Sequence, residues 1–242
     1  MVYQFSGARM SDTHALPKYV QISELLIRDI QSGRLVDGER LPPERDMATR
    51  LNISVGTLRK SLEELTSLGL LERVQGSGNY VRAKPDARSV YAFFRVELRD
   101  GGGLPTAELM SVDTLVKPAG LPRFGRSAVG HRIRRLRRLN GVPAVLEEIW
   151  LDGSLVEDID ADALRESLYL YYREALGLWI TRAEDRLDLA DVPDWAHPDF
   201  GLGAGAPCVR ATRLSYGPDG MSAEASWNWI NTDVATYVAR IT

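Results

Sequence analysis

Cysteine is almost absent from this chain. Cys208 stands alone among 242 residues, so no internal disulfide can form and a reducing compartment is implied. Long apolar runs are missing too, and none approaches the ~20 residues that a membrane-spanning helix needs. The first residues do not read as a charged-then-apolar export signal; the expected location is the cytoplasm, with no membrane partner. Histidine is scarce. His14, His131 and His197 share no metal-ligand spacing, so neither a metal nor a cofactor is expected. A strong charge of one sign is lacking as well: 30 Lys and Arg against 33 Asp and Glu leave −3, which does not by itself announce a nucleic-acid binder. The charge is uneven, however. Residues 16–84 carry 11 basic and 9 acidic side chains, a balance of +2, which leaves −5 for the remainder. A mildly basic first segment and an acidic second one permit nucleic-acid binding by the first, because local arrangement matters more than the total.

What is present is ordinary globular material, 44% hydrophobic and 26% charged, long enough for two domains. Residues 1–15 are polar and unpatterned and read as a disordered tail. From Lys18 to Gln31, Tyr19, Ile22, Leu26 and Ile30 recur at helical spacing, and Gly33 follows as a stop. Pro42 and Pro43 suit the first turn of a second helix, with Glu44 and Asp46 near its positive end, running to about Leu51. Asn52 fits a left-handed turn, and Ser54 fits an N-cap for a third helix whose stripe is Leu58, Leu62 and Leu65. Thr57, Arg59 and Lys60 lie off that stripe. Gly69 closes the helix, and Leu70–Arg73 and Asn79–Arg82 read as two strands around a Gly-rich tip.

Residues 84–92, with Lys84-Pro85-Asp86, read as a linker. Beyond it β-like runs appear at Val90–Leu98, Ala107–Val116, Ile133–Leu139, Ala144–Leu151, Ala183–Leu189, Cys208–Tyr216 and Ala223–Trp229. Helical patterns sit at Ala161–Leu176 and at Thr232–Val238. Gly101-Gly102-Gly103 and Gly217-Pro218-Asp219-Gly220 signal turns. The expected fold class is α+β in two domains. The first is a winged helix-turn-helix over 16–83; the second, over 93–242, is a largely antiparallel sheet with helices.

A helix-turn-helix needs a small residue where its helices touch, a sharp turn, and a hydrophobic anchor after it. Ala48, Asn52 and Ile53 supply these in order. The leading end of the third helix then faces a major groove. Arg59 suits a bidentate contact to guanine, Thr57 a phosphate or base, and Val55 a thymine methyl, with Ser54 and Gly56 beside them. Arg45 lies at the start of the preceding helix. Gln75-Gly76-Ser77-Gly78-Asn79 opens no helix, so it fails the context of a nucleotide-binding glycine loop and fits a hairpin tip against DNA.

Leu16-Pro17-Lys18-Tyr19-Val20-Gln21-Ile22, Gly33-Arg34-Leu35, Leu41-Pro42-Pro43-Glu44-Arg45-Asp46-Met47-Ala48, Thr57-Leu58-Arg59 and Gly76-Ser77-Gly78-Asn79-Tyr80-Val81 resemble the winged-helix domain of the GntR family of bacterial regulators. The resemblance covers roughly 65 residues and implies DNA contacts by Arg45, Ser54, Thr57, Arg59 and Gly76. Many members carry Arg after the Ser of the recognition helix. Here Val55 and Gly56 follow it, so a base contact of those members is missing.

Arg132-Ile133-Arg134-Arg135-Leu136-Arg137-Arg138 is the densest charge cluster. On a strand, Arg135 and Arg137 share one face and can grip one anion, with Arg134, Leu136 and Arg138 opposite. A basic strand face in water or on DNA is the competing reading. Arg135-Leu136-Arg137, Asn140-Gly141-Val142-Pro143, Glu147, Ser167-Leu168-Tyr169 and Glu224 are similar to the UTRA effector domain of the HutC branch, which has a chorismate-lyase-like fold. That similarity implies an anion held by Arg135, Arg137, Ser167 and Tyr169, with Glu147 and Glu224 on hydroxyl or amine groups. Ala92-Phe93-Phe94-Arg95 replaces the small hydroxyl residues of phosphosugar-binding members. Phe94 and Arg95 would shape the pocket differently, toward a more apolar carboxylate, and the effector class stays open.

The expectation is a homodimeric, ligand-responsive regulator, released as a repressor from double-stranded operator DNA by a small anionic effector. The alternatives are a chorismate-lyase-like enzyme fused to a DNA-binding module, with no nucleophile–base pair in view, and a constitutive DNA binder with a purely dimerising second domain.

Overall fold

The computed structural model describes residues 17–82, 91, 93–164 and 166–240. The expected tail at 1–15 and the linker at 84–92, apart from Tyr91, lie outside the described residues. Helix α1 spans Lys18–Gln31, α2 Glu44–Arg50 and α3 Val55–Ser67. They bury one core of Ile22, Leu25, Leu26, Ile30, Met47, Ala48, Leu58, Leu62 and Leu65, as the helical spacing dictates. Asn52 turns the chain at φ 52°, and Ile53 packs against the core behind it. Ser54 caps α3: its Oγ accepts the Thr57 N–H at 3.0 Å. Gly69, at φ 68°, ends it. Pro42 and Pro43 precede α2 rather than starting it, Pro43 being the cap residue at ψ 139°. Strands β1 (Leu71–Val74) and β2 (Gly78–Val81) pair antiparallel as the wing.

The second part is built on a six-stranded antiparallel sheet. Its strands are β4 (Pro105–Val116), β5 (Val129–Leu139), β6 (Val142–Asp152), β7 (Arg182–Asp191), β8 (Pro207–Tyr216) and β9 (Ser222–Ile230), ordered β4-β5-β6-β9-β8-β7. Helix α4 (Leu168–Ala175) lies on one face, where Leu168, Tyr171 and Tyr172 join Ile133, Ile149 and Leu151 in a core. Because side chains alternate along a strand, the register sets Arg135, Glu147, Ser226 and Asn228 on that same face.

Three expected elements change. Of the run expected at Val90–Leu98, the described residues form a strand at β3 (Val96–Leu98), paired with β10 (Ala235–Tyr237). The helix expected at Thr232–Val238 is a turn leading into β10. Asn231 Oδ1 accepts the Asp233 N–H at 3.1 Å, and Ala235 is then buried against β3. The pattern Ala161–Leu176 divides into a 3-10 turn at Ala161–Ala163 and α4. Two side chains compete to start a helix there: Asp160 caps the first turn and Ser167 the second.

The two parts touch. Leu104 packs into the core of the helical part, and Arg28 of α1 places its guanidinium 5.8 Å from the Phe94 ring centroid. Asp29 joins Arg28 at 3.1 Å and Arg34 at 3.5 Å. Arg34 in turn lies against Gly102, at φ 69°, leaving no room for a Cβ there.

Ala48 is 2% exposed in a filled core. Ala48→Leu is expected to destabilise the protein by ~1–3 kcal/mol through overpacking, read as a lower urea midpoint at unchanged slope.

Candidate effector pocket and nucleic-acid interface

Strand β5 delivers Arg135 and Arg137 to the covered face of the sheet, and β6 delivers Glu147 between them. Arg135 Nη2 meets Glu147 Oε2 at 2.6 Å, and Arg137 Nε meets Glu147 Oε1 at 2.6 Å. Both arginines are 4% exposed and the carboxylate 5%. The Glu166 carbonyl, just before α4, accepts from Arg135 Nη1 at 3.2 Å and from Arg137 Nη2 at 3.3 Å. Burial alone would raise the Glu147 pKa, but the two guanidinium groups outweigh it and hold the carboxyl down at about 2. Within this triad two cations face one anion, and the Glu166 carboxyl also acts on both guanidinium groups through space. Arg135 Nε and Arg137 Nη1 are buried with no hydrogen-bond partner.

Glu224 on β9 behaves oppositely. It accepts from Tyr172 Oη at 2.8 Å, Ser215 Oγ at 2.9 Å and Tyr169 Oη at 3.3 Å. Burial raises its pKa, and the Tyr172 and Ser215 hydroxyls together with the charges of Arg213 and Arg135 offset that only in part. The two carboxyls are therefore shifted in opposite directions.

These side chains surround a cavity of about 60 Å³ lined by Tyr91, Phe94, Arg135, Arg137, Glu147, Ile149, Ser167, Leu168, Tyr169, Arg213, Glu224, Ser226 and Asn228. Seven of the eight residues singled out from the sequence meet here: Phe94, Arg135, Arg137, Glu147, Ser167, Tyr169 and Glu224. Arg95 is the exception. It lies outside the lining, within electrostatic range of Arg213, Asp185 and Tyr237. Each oxygen of Glu147 already accepts from an arginine. Ser167 Oγ caps α4 by accepting the Leu170 N–H at 3.3 Å. Tyr91, Arg213, Tyr172, Ser215 and Asn228 escaped the sequence reading. Arg213 reaches the cavity from β8, bound to Asp185 at 2.6 Å and to the Phe93 carbonyl at 2.5 Å, and only the strand order reveals that placement.

The second candidate surface is the groove between α2, α3 and the wing, lined by Arg40, Arg45, Arg59, Arg73 and residues 74–79 with Glu44 and Asp46. Ser54 and Thr57 sit at the leading end of α3, their hydroxyls 2.8 Å apart. Gly56 beside them is open to solvent, and Arg45 is exposed. Val55 is half-buried and packs on the core, so only part of it faces outward. Arg59 pairs with Glu44 at 2.7 Å, but its side chain is 59% exposed. Such a solvated pair is worth at most ~1 kcal/mol and can change partner. Gly76 takes φ 75° at the exposed wing tip. Lys60 lies over the Tyr19 ring at 3.8 Å, away from this groove's lining. Arg40 and Arg73 were not picked out from the sequence; they flank the groove only once the wing folds back. Among the described residues no helix is long and apolar enough to cross a membrane, and no His, Cys, Asp and Glu group could hold a metal.

A winged helix-turn-helix joined to a sheet domain with a polar internal pocket defines a DNA-binding regulator that answers to a small molecule. Residues 18–81 match the gntR family of bacterial regulatory proteins and residues 102–236 match the UTRA domain. The chain belongs to the GntR family, in its UTRA-bearing HutC branch. It is 62% identical over 227 residues to the HTH-type transcriptional regulator SmoD of Agrobacterium fabrum, covering 94% of this chain and 97% of that one. It is 27% identical to the HTH-type transcriptional repressor NagR of Bacillus subtilis, over 92% and 94% of the two chains. The crystal structure of the possible transcriptional regulator YydK from Bacillus subtilis shares the fold at 21% identity and a TM-score of 0.51, covering 94% of this chain and 100% of that one. These relatives are regulators, and so is this protein; it is not an enzyme.

Glu147→Gln leaves two buried guanidinium groups facing an amide and is expected to cost ~3–5 kcal/mol at neutral pH, measured by urea unfolding. The folded pKa of Glu147 lies below its ordinary 4.5, so its contribution is present above that pH and disappears as pH falls toward about 2. The variant should lose the part of the acid-induced decline that falls in this window, and sulfate should restore some of its stability at neutral pH.

Proposed function

We propose that the protein is a cytoplasmic homodimeric repressor that holds its operator when unliganded and releases it when a small anion enters the pocket above Arg135 and Arg137. The observation that carries this is the buried arginine pair with one carboxylate between them and two buried N–H groups without a hydrogen-bond partner. Unsatisfied buried donors are costly, and an anion would satisfy them. Ser167 and Tyr169 lie beside the arginines and suit further ligand oxygens. Glu224 suits a ligand hydroxyl. The name of NagR, a repressor, supports the direction of control.

On the DNA side, residues 16–83 form the reading unit, 84–92 the linker and 93–242 the effector and dimerisation unit. Ser54, Val55, Gly56, Thr57 and Arg59 meet base edges or phosphates in the major groove, with Arg45 and the Gly76 tip beside them. Two copies present two recognition helices to a near-palindromic site. The effector acts through its different affinity for the two arrangements, on the ordinary scale of ~1–3 kcal/mol.

Selection from random duplexes defines the preferred operator and is expected to return an inverted repeat. Arg59→Ala should then lose ~1–3 kcal/mol on that operator and relax the preference at one base position; unchanged preference would place recognition elsewhere. A thermal-shift screen of phosphates, sulfonates and carboxylates finds the effector, since a ligand of the folded state raises its melting temperature. Arg135→Ala should retain operator affinity and salt dependence while losing release by that effector. A fall in DNA affinity would assign the arginine strand to a DNA surface instead.

A further inference from the structure

The cavity is small, about 60 Å³ beside the ~300–1,000 Å³ of drug-sized ligand sites. A ligand larger than a small inorganic anion requires a wall to move. The sheet side is fixed by strand ladders, and α4 is pinned by its Ser167 cap and by Tyr172, which is fully buried. The remaining wall carries Tyr91 and Phe94 and precedes β3; Phe94 N–H donates to the Tyr91 carbonyl at 2.9 Å, and Arg213 holds the Phe93 carbonyl between them.

On its outer side that wall meets the DNA-binding domain. The Phe94 ring contacts two buried cations: Arg28 Cζ is 5.8 Å from its centroid and Arg137 Cζ is 5.1 Å away. One cation belongs to α1 and the other to the pocket. Each keeps a carboxylate partner, Asp29 for Arg28 and Glu147 for Arg137, yet Nη1 of each is buried without a hydrogen-bond partner.

We propose that Phe94 is the positioning residue that couples the effector pocket to α1. An anion that draws Arg137 off the ring and pushes the wall outward removes one half of the clamp and loosens the hold on Arg28. This rests on the reading of the arginine pocket as the effector site. Coupling of this kind is reciprocal, so α1 docked through Arg28 also favours the closed pocket.

The test is a double-mutant cycle on the full chain, without ligand, read by amide hydrogen exchange at residues 24–31 of α1, with α3 as internal reference. Arg137→Met is expected to speed exchange at 24–31 about five- to tenfold and to leave α3 as in the wild type. Phe94→Leu should produce the same acceleration, and adding Arg137→Met to it should change nothing further. Phe94→Tyr, which keeps the ring, should preserve the response to Arg137→Met. Unchanged exchange in α1 on Arg137→Met, multiplying effects of the two substitutions, or equal acceleration in α3 each overturn the coupling. Thermal shifts with inorganic phosphate on the wild type and Arg135→Met address the pocket reading separately: phosphate that stabilises neither protein removes the anion site, while the exchange cycle still decides the coupling.

Discussion

A carboxylate held between two guanidinium groups in the dry face of a β-sheet is the constraint on which the effector domain depends. Three charges inside a protein are costly to desolvate, and they persist only with good geometry and further hydrogen bonds. Here the geometry comes from the strand register, which sets Arg135 directly opposite Glu147 and Arg137 two residues along on the same face. The further bonds come from the Glu166 carbonyl as the chain turns into α4. The balance is left incomplete by two buried N–H groups without a partner. That incompleteness suits the pocket to an anion, and packed leucines at the same positions would hold the sheet together without offering anything to bind.

The DNA-reading end follows a different economy. Its core is largely apolar, and the polar residues of its groove are weakly committed. Arg59 rests on Glu44 in water, and the hydroxyls of Ser54 and Thr57 cap a helix end that faces outward. Such groups exchange partners at little cost, as a surface that alternates between solvent and duplex must. The buried cluster and the mobile surface are joined by a short physical path: pocket arginine, aromatic ring, buried arginine of α1. The ends of that path belong to different domains, and the ring that touches both belongs to a wall of the cavity.

Much of this was legible in the residues. The helical spacing of α1 and α3, the left-handed Asn52, the Ser54 cap and the glycine tip each follow from local stereochemistry, so the winged domain could be drawn from sequence alone. The alternation along β5 put Arg135 and Arg137 on one face before any sheet was in view. The misses have local causes too. Thr232–Val238 has helical spacing, but Asn231 forms a turn and pairing with β3 outweighs propensity. Ser167 starts a new helix in the middle of what reads as one.

The sequence by itself determined which face of each element would be apolar and which cations would share a strand face, because those follow from the 3.6- and 2-residue periods. Only the tertiary structure decided that Arg213 arrives from β8, that Arg95 stays outside the cavity, and that Glu147 bridges the two arginines. It also decided that Phe94 touches cations of two domains. Each of these depends on strand order or on the contact between domains, and residues more than a hundred positions apart become neighbours only through long-range packing that no local period encodes.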